Sequence, residues 1–187
     1  HPEVLRTVHS HLSITNDNDA IKNFVKEKLR KAYKDDPYHQ SQIITDIALH
    51  NLHQGNRRAN FSDFERAYNL DNNNAIAQSF VGFHYYKKKM PGGEEMVNEA
   101  LKRSTDPHIS VHAAIIEIEK RNLERAKEIL LDCVDKYPFS DAFYLLGSLY
   151  IKEDLEKVHT LILSLLIRLN NTLMKQRDTI LKMLEHY

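Results

Sequence analysis

The sequence predicts an all-α fold, a stack of antiparallel helix hairpins roughly five deep, and three observations carry that prediction. Glycine and proline number only 5 each among 187 residues, too few for the many tight turns of an all-β fold. Apolar residues recur at three- and four-residue steps along most of the chain. The breakers that do occur divide it into segments of about three turns joined by roughly two to six residues, which forces antiparallel neighbours, and each hairpin keeps an apolar face that only the next hairpin can cover.

The elements follow in order. Ile21, Phe24, Val25, Leu29, Ala32 and Tyr33 mark a helix over 17–34, with Asp17, Asn18 or Asp19 available as its cap. A second, over 38–53, carries Ile43, Ile44, Ile47, Ala48 and Leu52 and closes at Gln54-Gly55. Helix resumes over 58–70, pauses at Asn72-Asn73-Asn74, and runs over 75–89 until Pro91-Gly92-Gly93, where a turn is expected. Further helices are predicted over 94–104, 108–120, 123–136, 140–152 and 155–169, separated by Asp106-Pro107, Arg121-Asn122, Tyr137-Pro138 and Glu153-Asp154. The apolar run from Leu161 to Leu169 is too short to cross a membrane and reads as a buried helix. A last helix over 172–186 serves as a terminal cap.

Phe64-Glu65-Arg66-Ala67-Tyr68-Asn69-Leu70-Asp71 is followed by Val81-Gly82 with Tyr85, and Ala126, Leu130, Cys133 and Pro138 are followed by Leu146-Gly147 with Tyr150. On these motifs residues 60–170 resemble the tetratricopeptide repeats, a family with a period of about 34 residues. The first stretch is similar to the family's second helix and its exit, Val81-Gly82 with Tyr85 to the Leu-Gly and Tyr of the next first helix, and the later residues repeat the pattern. A small residue at a helix crossing lets two backbones approach closely, which accounts for Gly82 and Gly147 physically. The resemblance implies a right-handed superhelical α-solenoid in one domain over 1–187, with divergent helices over 1–58, repeats over 59–170 and a cap over 171–187. It also implies a concave groove, lined by the first helix of each pair, that holds a peptide or a partner helix.

Composition narrows the function classes. Lys plus Arg equal Asp plus Glu at 26 each, so no global charge selects nucleic acid or an anionic membrane. The single cysteine, Cys133, cannot form an intramolecular disulfide, which favours a reducing, intracellular and cytoplasmic setting. The sequons Asn60-Phe61-Ser62 and Asn170-Asn171-Thr172 weigh little against that. The first residue is His1 rather than Met, so a fragment of a longer polypeptide is one possibility.

No constellation points to catalysis. There is no nucleophile elbow and no phosphate-cradling glycine loop, and Cys133 occupies a small apolar slot rather than an electropositive one. Among 11 histidines, His108 and His112 share one helix face at metal-ligand spacing but lack a third ligand, so no metal and no cofactor is assigned. The reading is a protein-interaction scaffold without enzymatic activity, with Phe83, Tyr86, Tyr144, Ser148 and Ile151 toward the groove. The alternative is a nucleic-acid binder, above all of RNA, using the basic face of Lys26, Arg30 and Lys34. A third is self-association as part of a larger polypeptide.

Overall fold

The computed structural model describes residues 33–53, 60–151 and 160–171, together with Glu27, Lys31 and Met174. Among them the fold is helical without strands: α1 (Pro37–His53), α2 (Asn60–Leu70), α3 (Ala75–Lys87), α4 (Gly93–Arg103), α5 (Pro107–Glu119), α6 (Leu123–Lys136), α7 (Ser140–Tyr150) and a further helix over residues 160–171. The expected elements lie within two or three residues of these where both are described. The expected 17–34 helix and the 172–186 cap fall largely outside the described residues, and Tyr33 and Lys34 form turn rather than helix.

The chain forms two compact units, one ending at Ser104 and the other beginning at Thr105. In the first, α1 packs on α2, α2 on α3 and α3 on α4. In the second, α5 packs on α6, α6 on α7, and α5 also touches α7. Alternate helices differ in how they are covered. The middle of α5 is buried without a break from Ile109 to Ala114, so it meets neighbours on several sides, whereas α6 buries one stripe and leaves Glu128, Leu131 and Asp132 in water. A helix covered all round has no polar face to show, and one covered on a single side must show one. Full burial of Phe64, Ile109, Ile116, Leu130 and Leu146 stabilises by roughly 2 kcal/mol each.

Helix ends follow repeated local chemistry. α1 and α5 both begin at an Asp-Pro step, where proline suits the first helical position and the aspartate satisfies orphan amides. Asp36 Oδ1 accepts from His39 N at 3.1 Å, and Asp106 Oδ1 accepts from His108 N at 2.9 Å. α3 and α5 both close with a left-handed residue that is not glycine, Lys89 (φ 57) and Arg121 (φ 66). Paired bonds hold each closure: Met90 N donates to Tyr85 O and Lys89 N to Tyr86 O, both at 2.9 Å, while Asn122 N donates to Glu117 O at 2.9 Å and Arg121 N to Ile118 O at 3.0 Å.

Inside the first unit, Asn74 joins three helices. Its Oδ1 accepts from Ala77 N at 3.1 Å, and its Nδ2 donates to Ser41 Oγ at 2.8 Å and Thr45 Oγ1 at 2.9 Å. Ser41 Oγ in turn donates to the Ala67 carbonyl at 2.7 Å. All three polar side chains are buried, where an unmatched polar atom would cost on the order of 1–3 kcal/mol. Beside them Phe64 and Phe80 stack with ring centroids 3.8 Å apart, in a cluster that also buries Ala48 and Val81.

The α3–α4 contact runs glycine against glycine. A Cβ built on Gly82 would lie 2.6 Å from Met96 Cβ and 2.9 Å from Gly93 O, and one built on Gly93 would lie 2.3 Å from Tyr86 N and 2.7 Å from Gly82 O. Gly82 therefore plays the close-packing role the sequence assigns it. Gly93 is the first residue of α4 rather than part of a turn, and the left-handed turn position falls to Gly92 (φ 81). Gly147 differs: its nearest described neighbour is Leu161 Cδ2 at 3.8 Å, so no described residue makes a tight crossing there. A flexible leucine end fills that space instead.

Replacing these glycines by alanine therefore has opposite expected outcomes. Gly93→Ala meets backbone atoms that cannot move aside and should cost more than Gly82→Ala, which should itself cost about 1–3 kcal/mol. Gly147→Ala should be neutral or stabilising by up to about 1 kcal/mol, since helix propensity improves without a clash. Urea midpoints of the three variants test the order, and a destabilised Gly147→Ala beside a neutral Gly93→Ala would reverse the assignment.

Candidate functional site

The residues expected to face a partner are placed within two separate units. Phe83 and Tyr86 lie on α3, half-buried, and both already contact other residues. Tyr144, Ser148 and Ile151 lie on α7 and at its C-terminal cap, all exposed, with Tyr144 at 77% and Ile151 at 60%. The spacing of four and then three residues puts them on one stripe. The opposite stripe, Ala142, Phe143 and Leu146, is buried in the core of the second unit, so the covered side of α7 fixes which side faces out. Ser148 Oγ donates to its own helix at Leu145 O, 2.7 Å away, which leaves the exposed stripe chiefly aromatic and aliphatic.

Neighbouring polar contacts hold α7 in place. Lys127 on α6 is buried, with Nζ 3.0 Å from Glu124 Oε1 and 5.5 Å from the centroid of the Tyr150 ring. Its aliphatic stem thus covers apolar surface while its charge sits over an aromatic face.

The helix over residues 160–171 departs from the sequence expectation. It forms, but Ile162, Leu163, Leu166 and Ile167 are 47–60% exposed rather than buried. Hydrophobic periodicity cannot tell a covered face from an uncovered one, because the same residues serve a core and an interface. Nearby, Arg168 pairs with Asp135 at 3.3 Å beside a cavity of about 330 Å³ that Tyr137, Pro138 and Asn171 also line.

The basic face proposed for nucleic acid is described only at Lys34, which is exposed; Lys26 and Arg30 lie outside the described residues. Lys87, Lys88 and Lys89 are exposed where α3 ends.

Of the groups that could carry chemistry, Cys133 and His112 are buried and His108 is half-buried. Cys133 is buried, and that burial, eased slightly by a hydrogen bond from Ser110, pushes its thiol up to about 11. A nucleophilic cysteine needs the opposite shift. His108 Nδ1 lies 3.0 Å from Asp106 Oδ1, and its ring meets Phe139 edge-on at 4.7 Å. His112 is buried one helical turn further on; burial first, then the His108 charge, lowers it to about 3. The pair is a cap partner and a core residue, and among the described residues no group of three or more His, Cys, Asp or Glu could hold a metal ion. No described helix is long and apolar enough to cross a membrane.

The buried ring has a consequence for pH. The folded chain keeps His112 neutral down to about pH 3, while the unfolded chain takes up that proton near pH 6.5. The unfolded state thus binds more protons across this window, and stability falls as pH drops through it. Between pH 7 and pH 5 the loss should be on the order of 2 kcal/mol, and His112→Asn should flatten it. Denaturation at both pH values provides the measurement, and equal slopes in the two proteins would exclude His112 as the source.

Comparison with known proteins finds no matching family model and no matching curated protein. Among solved structures, a chain described as "MamA RS-1 ArsTM double mutant" is 13% identical with a TM-score of 0.49, over 91% of this chain and 96% of that one. At that identity no residue role transfers.

Proposed function

We propose that this chain is a tetratricopeptide-like scaffold that binds another protein, and that the exposed stripe of α7 is part of the surface it uses. The observation that carries the reading is an aromatic and a branched aliphatic side chain, Tyr144 and Ile151, held in water on a helix whose other side is locked in a core. Tyrosine in particular brings large contact area at low entropic cost. Such a stripe on a rigid element is suited to an apolar peptide or an amphipathic partner helix. Phe83 and Tyr86 on α3 offer a second, more enclosed face of the same chemistry. Burial of the Cys133 thiol and the His112 ring supports the binding reading.

Affinity capture from native extract, followed by mass spectrometry, identifies the partner. Tyr144→Ala and Ile151→Ala should each reduce its retention about tenfold or more while helicity by circular dichroism is unchanged. If Phe83→Ala and Tyr86→Ala also leave retention intact alongside these two, both faces lose their assignment.

A specific observation favours a second reading, self-association. Ile162, Leu163, Leu166 and Ile167 expose a nearly uncharged helix face, and clustered exposure of this kind marks an interface more often than a free surface. Light scattering at micromolar concentration should then show a mass above that of one 21.9 kDa chain, returning to it in Leu163→Lys with Leu166→Lys. A monomer at all concentrations rules this out.

A further inference from the structure

A cavity of about 210 Å³ in the first unit is lined by Lys34, Gln40, Ile43, Ile44 and Arg66. Its walls combine two features. Ile43 and Ile44 belong to the buried face of α1 and supply an apolar wall. Lys34 and Arg66 supply two positive charges, and among the described residues no carboxylate lines the space and none forms an ion pair with either cation.

Local structure holds the cavity open. The Gln40 amide donates to the carbonyls of Tyr33, at 3.0 Å, and of Lys34, which fixes the backbone that carries the lysine. Asp36 turns the chain into α1, its N–H donating to Tyr33 O at 3.1 Å. Its carboxylate is committed to His39 at 2.6 Å and is held below the usual carboxylate range by the His39 backbone and ring. The Asp36 carboxylate is therefore already engaged, while Asp35, beside Lys34, is exposed and is not among the described lining residues. Arg66 sits on the exposed side of α2, one residue before the buried Ala67 that receives the Ser41 hydroxyl.

We infer that this cavity is a binding site for a carboxylate on a short aliphatic stem. Its volume equals about seven waters at roughly 30 Å³ each, below the 300–1,000 Å³ of sites for drug-sized molecules, so it admits a head group and a few carbons. A planar carboxylate can accept two parallel N–H bonds from the guanidinium while the ammonium adds a point charge. The stem then lies against Ile43 and Ile44. A phosphate fits less well, since it has no apolar part to cover that wall and would surrender more hydration. The same chemistry comes from a free short-chain monocarboxylate or from a glutamate side chain of a bound peptide. The site shares no residue with the α7 stripe, so the scaffold reading can fail while this one holds.

Methyl-detected NMR of the intact chain tests the site, with sodium butyrate as the probe and the Ile43 and Ile44 methyl groups as reporters. Butyrate should shift both saturably in the millimolar range, and n-butanol and inorganic phosphate should bind at least tenfold more weakly. Arg66→Gln and Lys34→Gln should each weaken butyrate about fivefold or more with the remaining spectrum preserved. Butanol as effective as butyrate, or butyrate binding unchanged in both variants, overturns the assignment. A short glutamate peptide that binds more tightly than butyrate identifies the source as a polypeptide, and one that binds more weakly identifies a free carboxylate; either supports the carboxylate site.

Discussion

The first unit depends on a single side-chain amide placed where three helices converge. Asn74 uses its oxygen to start α3 and its nitrogen to hold two hydroxyls of α1, and one of those hydroxyls passes the connection on to the α2 backbone. Such an arrangement tolerates one register only. Sliding α1 by a single residue would bury Ser41 and Thr45 without partners, and the cost of unmatched buried polar atoms exceeds what apolar contacts lose in a small shift. Apolar packing around Phe64 and Phe80 drives the helices together, while the polar network decides how they meet.

The glycine contact extends that logic to α4. Once α3 is placed, α4 can approach only where both backbones lack a Cβ, and Gly82 and Gly93 meet that condition. The second unit uses no such contact at Gly147. There, α5 is enclosed, with His112 and Cys133 both buried in the same core, and it accepts a titratable ring and a thiol because burial holds each in its neutral form.

Much of the architecture was legible because it is encoded locally. Asp106-Pro107 marks a break between helices, and the three- and four-residue spacing of Ile43, Ile44, Ile47 and Ala48 defines a buried face that the structure shows buried. The core placement of Cys133 follows from its apolar neighbours. The candidate surfaces were less legible. Tyr144 and Ile151 could be put on one stripe from spacing, but the same arithmetic buried Ile162, Leu163, Leu166 and Ile167, which are exposed. Nothing in the order of residues marked Arg66 as a companion of Lys34, because they share a cavity across a turn and two helices.

By itself, then, the sequence determined what depends on neighbours a few residues away: helical content, most element boundaries, and the apolar face of each helix. Only the tertiary structure decided what depends on distant partners. It made Asn74 a junction rather than a plain cap and Gly93 a contact rather than a turn. It sent His112 into a core and separated covered from uncovered apolar faces. The physical reason is that helix propensity and periodicity are properties of short segments, whereas burial, hydrogen-bond partners and cavities exist only once segments far apart in the chain are packed together.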